Sequence, residues 1–315
     1  MHRGASAEGW PVGVQALSAP WQDHVALAVV EHLETALGGY QEPQLSGECY
    51  DRGQMSYVRA RNTAPLSENK IHDDVVATSY GFKGGLVPGV TVYGYLASVV
   101  VEELSAQWMQ SGSMSVRLQA PFYEGDHVRI ETQKIGADLR LLAEREAGAV
   151  CATGLARLAN PILEWADFAE VPLPLFESRP DAAWDLFEPG KPLGTLRDRL
   201  DLNDAEYLER HCFDAVAETS RLYRTTAHPA VLLAMANFIL AGNYRLGPWI
   251  HASSELTNFG TAIHGDEVCV RGRIADRFER KGHEFVVLDL GMTKESGERL
   301  LRVRHTAIYR PRAAN

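Results

Sequence analysis

The chain has 315 residues, 45% apolar and 23% charged, a globular balance that excludes extensive disorder and leaves room for two cores. Its 31 basic and 41 acidic residues give a net charge of −10 with no Lys/Arg stripe, which argues against nucleic acid and membrane surfaces as partners. Four dispersed cysteines (Cys49, Cys151, Cys212, Cys269) and no basic-then-apolar leader point to reduced thiols in a cytoplasmic protein, without a disulfide framework or zinc site. Residues 1–45 hold a candidate helix over Val25–Leu37 with no role attached. Ser67–Gly89, SENKIHDDVVATSYGFKGGLVPG, is a polar loop running into Pro88 and an apolar helix, PGVTVYGYLASVVVEEL. A proline costs nothing in a helix's first turn, where its N–H would have no partner. Strand-like stretches follow: SMSVRLQAPFY, EGDHVRIETQKI, LRLLAERE and VCATGLARL. The Pro-rich segment Asn160–Pro192 reads as a linker. A second apolar helix opens at Pro229, PAVLLAMANFILAGNYRL, and HASSELTNFGTAI, HGDEVCVRGRIADRF, HEFVVLDLGM and RLLRVRHTAIYRP continue as strands.

These elements are one unit used twice. Pro88 and Pro229 begin the two helices, 141 positions apart (88 to 229). Gly125-Asp126 recurs as Gly265-Asp266, 140 positions on (125 to 265). Both helices are apolar nearly all round, so they belong inside a core, and at roughly a dozen apolar residues each is too short to span a bilayer. The strands alternate, as in Val128/Ile130 and Val268/Val270, so one face packs and one is wet. One buried helix followed by about four antiparallel strands is the hot-dog arrangement, and two in tandem predict an α+β double hot-dog. The expected division is residues 1–159 as the first unit, 160–192 as linker and 193–315 as the second unit. The two sheets can pair edge to edge, as in a dimer of single units.

The Asn69–His72 pair, Phe82, Pro88-Gly89 and the RLQAPFYEGDHV pattern of Arg117–Val128 carry a resemblance. Together they resemble the MaoC-like hydratases, including the (R)-specific enoyl-CoA hydratases, over about Tyr57–Leu158, with a weaker echo in the second unit. That resemblance implies a hydro-lyase of fatty acid metabolism, converting a 2-enoyl thioester to a 3-hydroxyacyl thioester. The thiol carrier would be coenzyme A or an acyl carrier protein, with no cofactor and no metal. It implies His72 as the catalytic histidine, Asn69 as the residue positioning water and loop, and the Gly89 N–H as the thioester carbonyl donor. Helix first-turn amides suit that last role, because they lack intrahelical partners and lie at the positive dipole end. Phe82, Pro88 and Tyr93 are the expected substrate contacts, core filling being the simpler role for Tyr93.

One position departs from the family pattern: its catalytic aspartate, five residues before the histidine, is Ser67 here. A serine holds water but accepts no proton at neutral pH. Glu68 is one position out of register, and Asp73-Asp74 suit a helix start. In the second unit, Leu208, Arg210 and Phe213 stand where Ser67, Asn69 and His72 would, so no second motif is expected there. Two alternatives stay open: an acyl-CoA thioesterase on the same fold, and a non-catalytic acyl-thioester binder. A homodimer of the fused pair is a further expectation.

Overall fold

The structure is a computed structural model and describes residues 28–29, 31–32, 52–145, 148–158 and 161–312. Of the helix expected over Val25–Leu37, Ala28, Val29, Glu31 and His32 are described and helical. The rest of it and Cys49 lie outside the described residues. Residues 51–315 form one compact unit.

The first half of this unit contains β1 (Arg52–Arg59), α1 (Asp74–Ser79), α2 (Gly89–Leu104), α3 (Trp108–Ser111), β2 (Ser113–Leu118), β3 (His127–Ile135), β4 (Asp138–Arg145) and β5 (Ala149–Arg157). The second half contains β6 (Leu196–Arg199), α4 (Ala205–Arg210), α5 (Pro229–Asn243), β7 (Ile250–Asn258), β8 (Glu267–Arg280), β9 (His283–Lys294) and β10 (Arg299–Arg310). The strands make one antiparallel sheet in the order β1-β3-β4-β5-β2-β7-β10-β9-β8-β6. That order reads the same from both ends once each strand is exchanged for its counterpart. The halves meet at β2–β7, where Met114 lies opposite Leu256 and Val116 opposite Ser254.

Each half has a strand before its helix that the residue pattern does not announce. β6 is only LRDR, and β1 reads RGQMSYVR with Met55 and Tyr57 exposed. Both lie at sheet edges, where one side is unpaired and polar residues are tolerated, so apolar alternation is weak.

The two helices lie inside the wrapped sheet as their composition demands. Val90–Ala97 of α2 and Pro229–Ala236 of α5 are buried without interruption. Burying each Val, Leu or Met side chain contributes about 1.5–3 kcal/mol. The helices touch where a Cβ on Gly94 would come 3.1 Å from the Ala230 Cβ. The repeated Gly-Asp pair has one physical basis in both halves. Gly125 (φ +78°) and Gly265 (φ +87°) take the left-handed conformation. The Asp126 and Asp266 carboxylates then accept from Tyr123 N and Ile263 N, each at 2.9 Å.

The segment after β5 is bound to the sheet rather than loose. Leu163 N donates to Thr257 Oγ1 (2.9 Å), and Trp165 and Phe168 cover Gly291 of β9. Phe168 also lies under the guanidinium of Arg302, which pairs with the buried Asp289 at 2.6 Å. No helix among the described residues is long and apolar enough to cross a membrane.

Candidate active site

Residues 63–72 form the loop between β1 and α1, and they face the second half of the chain across a cavity of about 580 Å³. Ser67, Asn69 and His72 line it from the loop, and Asn237, Phe238 and Ala241 of α5 line it from the other side. Tyr244, Leu246 and Trp249 close the apolar part, while Glu206, Glu209 and Arg210 stand on its α4 side. The site is therefore made by the loop of one unit and the helix of the other.

Asn69 fixes the loop. Its Oδ1 accepts from Ile71 N (3.3 Å), capping the single turn Lys70–His72, and also from Trp249 N (3.1 Å). Its Nδ2 donates to the Trp249 carbonyl (2.9 Å) and lies 3.3 Å from His72 Nε2. The amide's donors and acceptor are thus occupied, and the loop is pinned to the other half's backbone. Ser67 Oγ donates to the Asn69 carbonyl (3.2 Å), so the hydroxyl braces the loop rather than reaching the imidazole.

His72 has its tautomer set by the backbone. Nδ1 lies 2.7 Å from the Leu86 carbonyl, an acceptor only, so the ring proton sits on Nδ1 and Nε2 carries the lone pair. Burial holds this imidazole below its usual range, at about 4, against the opposing pull of the Leu86 carbonyl. The ring is neutral at pH 7, and its Nε2 lone pair, at the cavity wall, accepts from Asn69 Nδ2 at 3.3 Å. The neighbouring acids are committed elsewhere. Asp73 accepts from Val76 N (3.0 Å), capping α1, and Asp74 accepts from Gly85 N (2.7 Å). Glu68 pairs with Arg179 (2.9 Å), whose guanidinium also donates to the Ala241 carbonyl (2.6 Å).

Other residues expected at the site lie elsewhere. Pro88, Gly89, Phe82 and Tyr93 are not on the wall of this cavity. A Cβ on Gly89 would sit 2.4 Å from Leu118 and 2.7 Å from His251 Nδ1, so glycine is required there for packing. Phe82 packs against Ile71, Ala77 and Leu86, and Tyr93 is 1% exposed in the main core. Conversely, Arg179, Asn237 and Trp249 are on the wall without having been expected. Asn237 had a readable signal, being the one polar residue within the apolar run Pro229–Ala241.

The mirrored place, between the second half's loop and α2, holds a smaller cleft of about 130 Å³. Polar side chains line it, although Leu208, Arg210 and Phe213 replace the first unit's motif. His228 Nδ1 accepts from Ala230 N (3.0 Å), so its proton is on Nε2, which donates to Ser98 Oγ (2.9 Å). Ser98 in turn donates to Glu218. Tyr95 Oη donates to Asp214 (2.8 Å), which also caps Val216 N and Ala217 N. These groups satisfy one another. Among the described residues, no group of three His, Cys, Asp or Glu side chains could hold a metal ion.

No protein-family model matches the chain, and no curated protein matches it. Solved structures do. A MaoC domain protein dehydratase of Chloroflexus aurantiacus is similar at 13% identity and a TM-score of 0.54, over 87% of this chain and all of that one. A Mycobacterium tuberculosis protein with a double hotdog fold is similar at 15% identity and a TM-score of 0.54, over 82% and 96%. The dehydratase domain of RzxB from Pseudomonas fluorescens is similar at 13% identity and a TM-score of 0.51, over 81% and 94%. At these identities the likeness is one of fold, and the fold is the double hot-dog.

Proposed function

We propose that this chain is an acyl-thioester hydratase/dehydratase of the MaoC-like kind, acting on a 2-enoyl or 3-hydroxyacyl thioester in the cavity beside His72. The observation that carries the reading is the neutral His72 ring, locked through Nδ1 on Leu86, with Nε2 at the wall of a mostly apolar cavity and its lone pair met by Asn69 Nδ2 at 3.3 Å. Solved dehydratases that share the fold support the same reaction class.

In hydration, a water displaces Asn69 Nδ2 from His72 Nε2, and that nitrogen takes a proton from the water as the water oxygen bonds to the β-carbon. The double-bond electron pair moves toward the thioester carbonyl, giving an enolate. The imidazolium then returns its proton to the α-carbon, so H and OH both derive from water and no redox partner is needed. Dehydration runs the same steps backwards. Asn69 keeps the ring and loop in place, and Ser67 braces the loop in place of the family's carboxylate. A general base of this type contributes about 10²–10⁴ in rate. The carrier thiol is coenzyme A or an acyl carrier protein.

Crotonyl-CoA with the intact chain tests this, following enoyl absorbance and free thiol in parallel. Loss of the enoyl band without thiol is the expected result. Thiol release instead would make the protein a thioesterase, and no change in either signal would contradict catalysis on this thioester.

A further inference from the structure

The wall of the His72 cavity contains a polar side chain with no partner. Glu68, Asn69, Arg179, Thr63 and Tyr244 on this wall are all held by protein hydrogen bonds or ion pairs. Asn237 is not. Its Oδ1 is shielded from solvent without a hydrogen bond, and its Nδ2 has no partner among the described residues. The flanking wall residues of α5 are Phe238 and Ala241. The counterpart of Asn237 in α2, 141 positions earlier, is Leu96, which is fully buried in the core. An apolar residue therefore suits this helix position where no ligand is to be met.

A shielded amide oxygen without a partner is destabilising, whereas one that meets a ligand group becomes a recognition group. We infer that Asn237 hydrogen-bonds an oxygen of the bound acyl group and is the second unit's contribution to substrate recognition. The inference rests on the acyl-thioester reading above. The shielded atom is Oδ1, an acceptor, so a hydroxyl further along the chain, which can donate to it, is the direct partner, whereas the thioester carbonyl accepts only from Nδ2 and meets that wall position with the amide turned over. Gly89, the other source of a carbonyl donor, is not on this wall.

Unreactive probes separate the cases: hexanoyl-CoA, its carbonyl-free thioether S-hexyl-CoA, and 6-hydroxyhexanoyl-CoA, each titrated calorimetrically into the full chain and into Asn237→Leu. If the carbonyl is the partner, the native chain prefers hexanoyl-CoA to S-hexyl-CoA by about 10-fold, and the variant loses that preference. If a chain hydroxyl is the partner, the preference lost is that for 6-hydroxyhexanoyl-CoA over hexanoyl-CoA. Removing an unpaired shielded amide should also raise the variant's Tm by about 2–4 °C, whereas a purely structural asparagine would lower it when removed. Preferences equal in both proteins overturn the role of Asn237 and leave the acyl-thioester reading standing. Failure of the native chain to bind any of the three overturns that reading, and the inference with it.

Discussion

The two mirrored clefts are built from the same parts and finished differently. Each pairs the loop of one half with the central helix of the other, and each contains a histidine fixed by a backbone hydrogen bond. In the first cleft the backbone takes the proton of His72 Nδ1 and leaves the Nε2 lone pair, met by Asn69 Nδ2 at 3.3 Å, beside some 580 Å³ of space. In the second, the backbone N–H of Ala230 takes the lone pair of His228 Nδ1, and the Nε2 proton is spent on Ser98. Ser98, Glu218, Tyr95 and Asp214 complete a mutually bonded set around about 130 Å³. Having a histidine is thus not what makes a candidate site. What counts is which ring nitrogen the backbone occupies, and whether the space beyond it is filled.

The strongest way to break this comparison is to remove each histidine in turn. His72→Gln is expected to lower crotonyl-CoA hydration by about 10²–10⁴ with little change in Tm. His228→Gln should leave turnover within about twofold but lower stability by about 1–3 kcal/mol, because it disrupts a buried bonded set. A steady-state assay and a thermal melt on both variants decide it, and equal loss of activity in both would end the distinction. Asn69→Ala tests how the first cleft is held open, since it removes both bonds to Trp249 and the cap of the Lys70–His72 turn. A drop of about 10-fold in kcat is expected, together with a lower Tm, because the ring loses its fixed position.

Acid sharpens the comparison by acting on both clefts. Burial holds His72 and His251 at about 4 and His228 at about 3, while an unfolded histidine titrates near 6.5. Between those values the unfolded chain binds more protons, so stability contributed by the neutral rings is full above about pH 6.5 and falls as pH drops toward 4. Each ring contributes a slope of up to about 1.4 kcal/mol per pH unit in that window. Denaturant melts from pH 7 to pH 4.5 read it, and a flat profile would contradict the burial. The rate constant of the surviving folded protein should stay level over the same range, because His72 remains a base until about pH 4. The smallest effect belongs to Ser67→Ala, which removes one brace on the Asn69 carbonyl and should cost less than about threefold in kcat.

The legible part of this molecule was whatever depends on short-range pattern. The two apolar helices announce themselves because they are buried on all sides, and the Gly-Asp pairs because a left-handed glycine and its side-chain cap need only four residues. The loop from Ser67 to His72 was legible as a motif, and it does line the cavity. The edge strands β1 and β6 were not, since an edge needs no apolar alternation. Arg179 was beyond reach as well: it sits in what reads as a Pro-rich linker, and its pairing with Glu68 spans 111 positions that no periodicity connects. The mirrored cleft shows the same limit from the other side. Comparing Leu208, Arg210 and Phe213 with the first unit's motif finds nothing polar. The polar set is there all the same, supplied by Ser98 and Tyr95 of α2 and by the loop before α5.

The tautomers themselves can be measured. Long-range proton–nitrogen NMR spectra of the ¹⁵N-histidine-labelled chain at pH 7 should show His72 protonated on Nδ1 and His228 protonated on Nε2. Adding 3-hydroxybutyryl-CoA should move the His72 Nε2 resonance and leave both His228 nitrogens where they were. A His72 ring protonated on Nε2, or a ligand shift confined to His228, would contradict the assignment of chemistry to the first cleft.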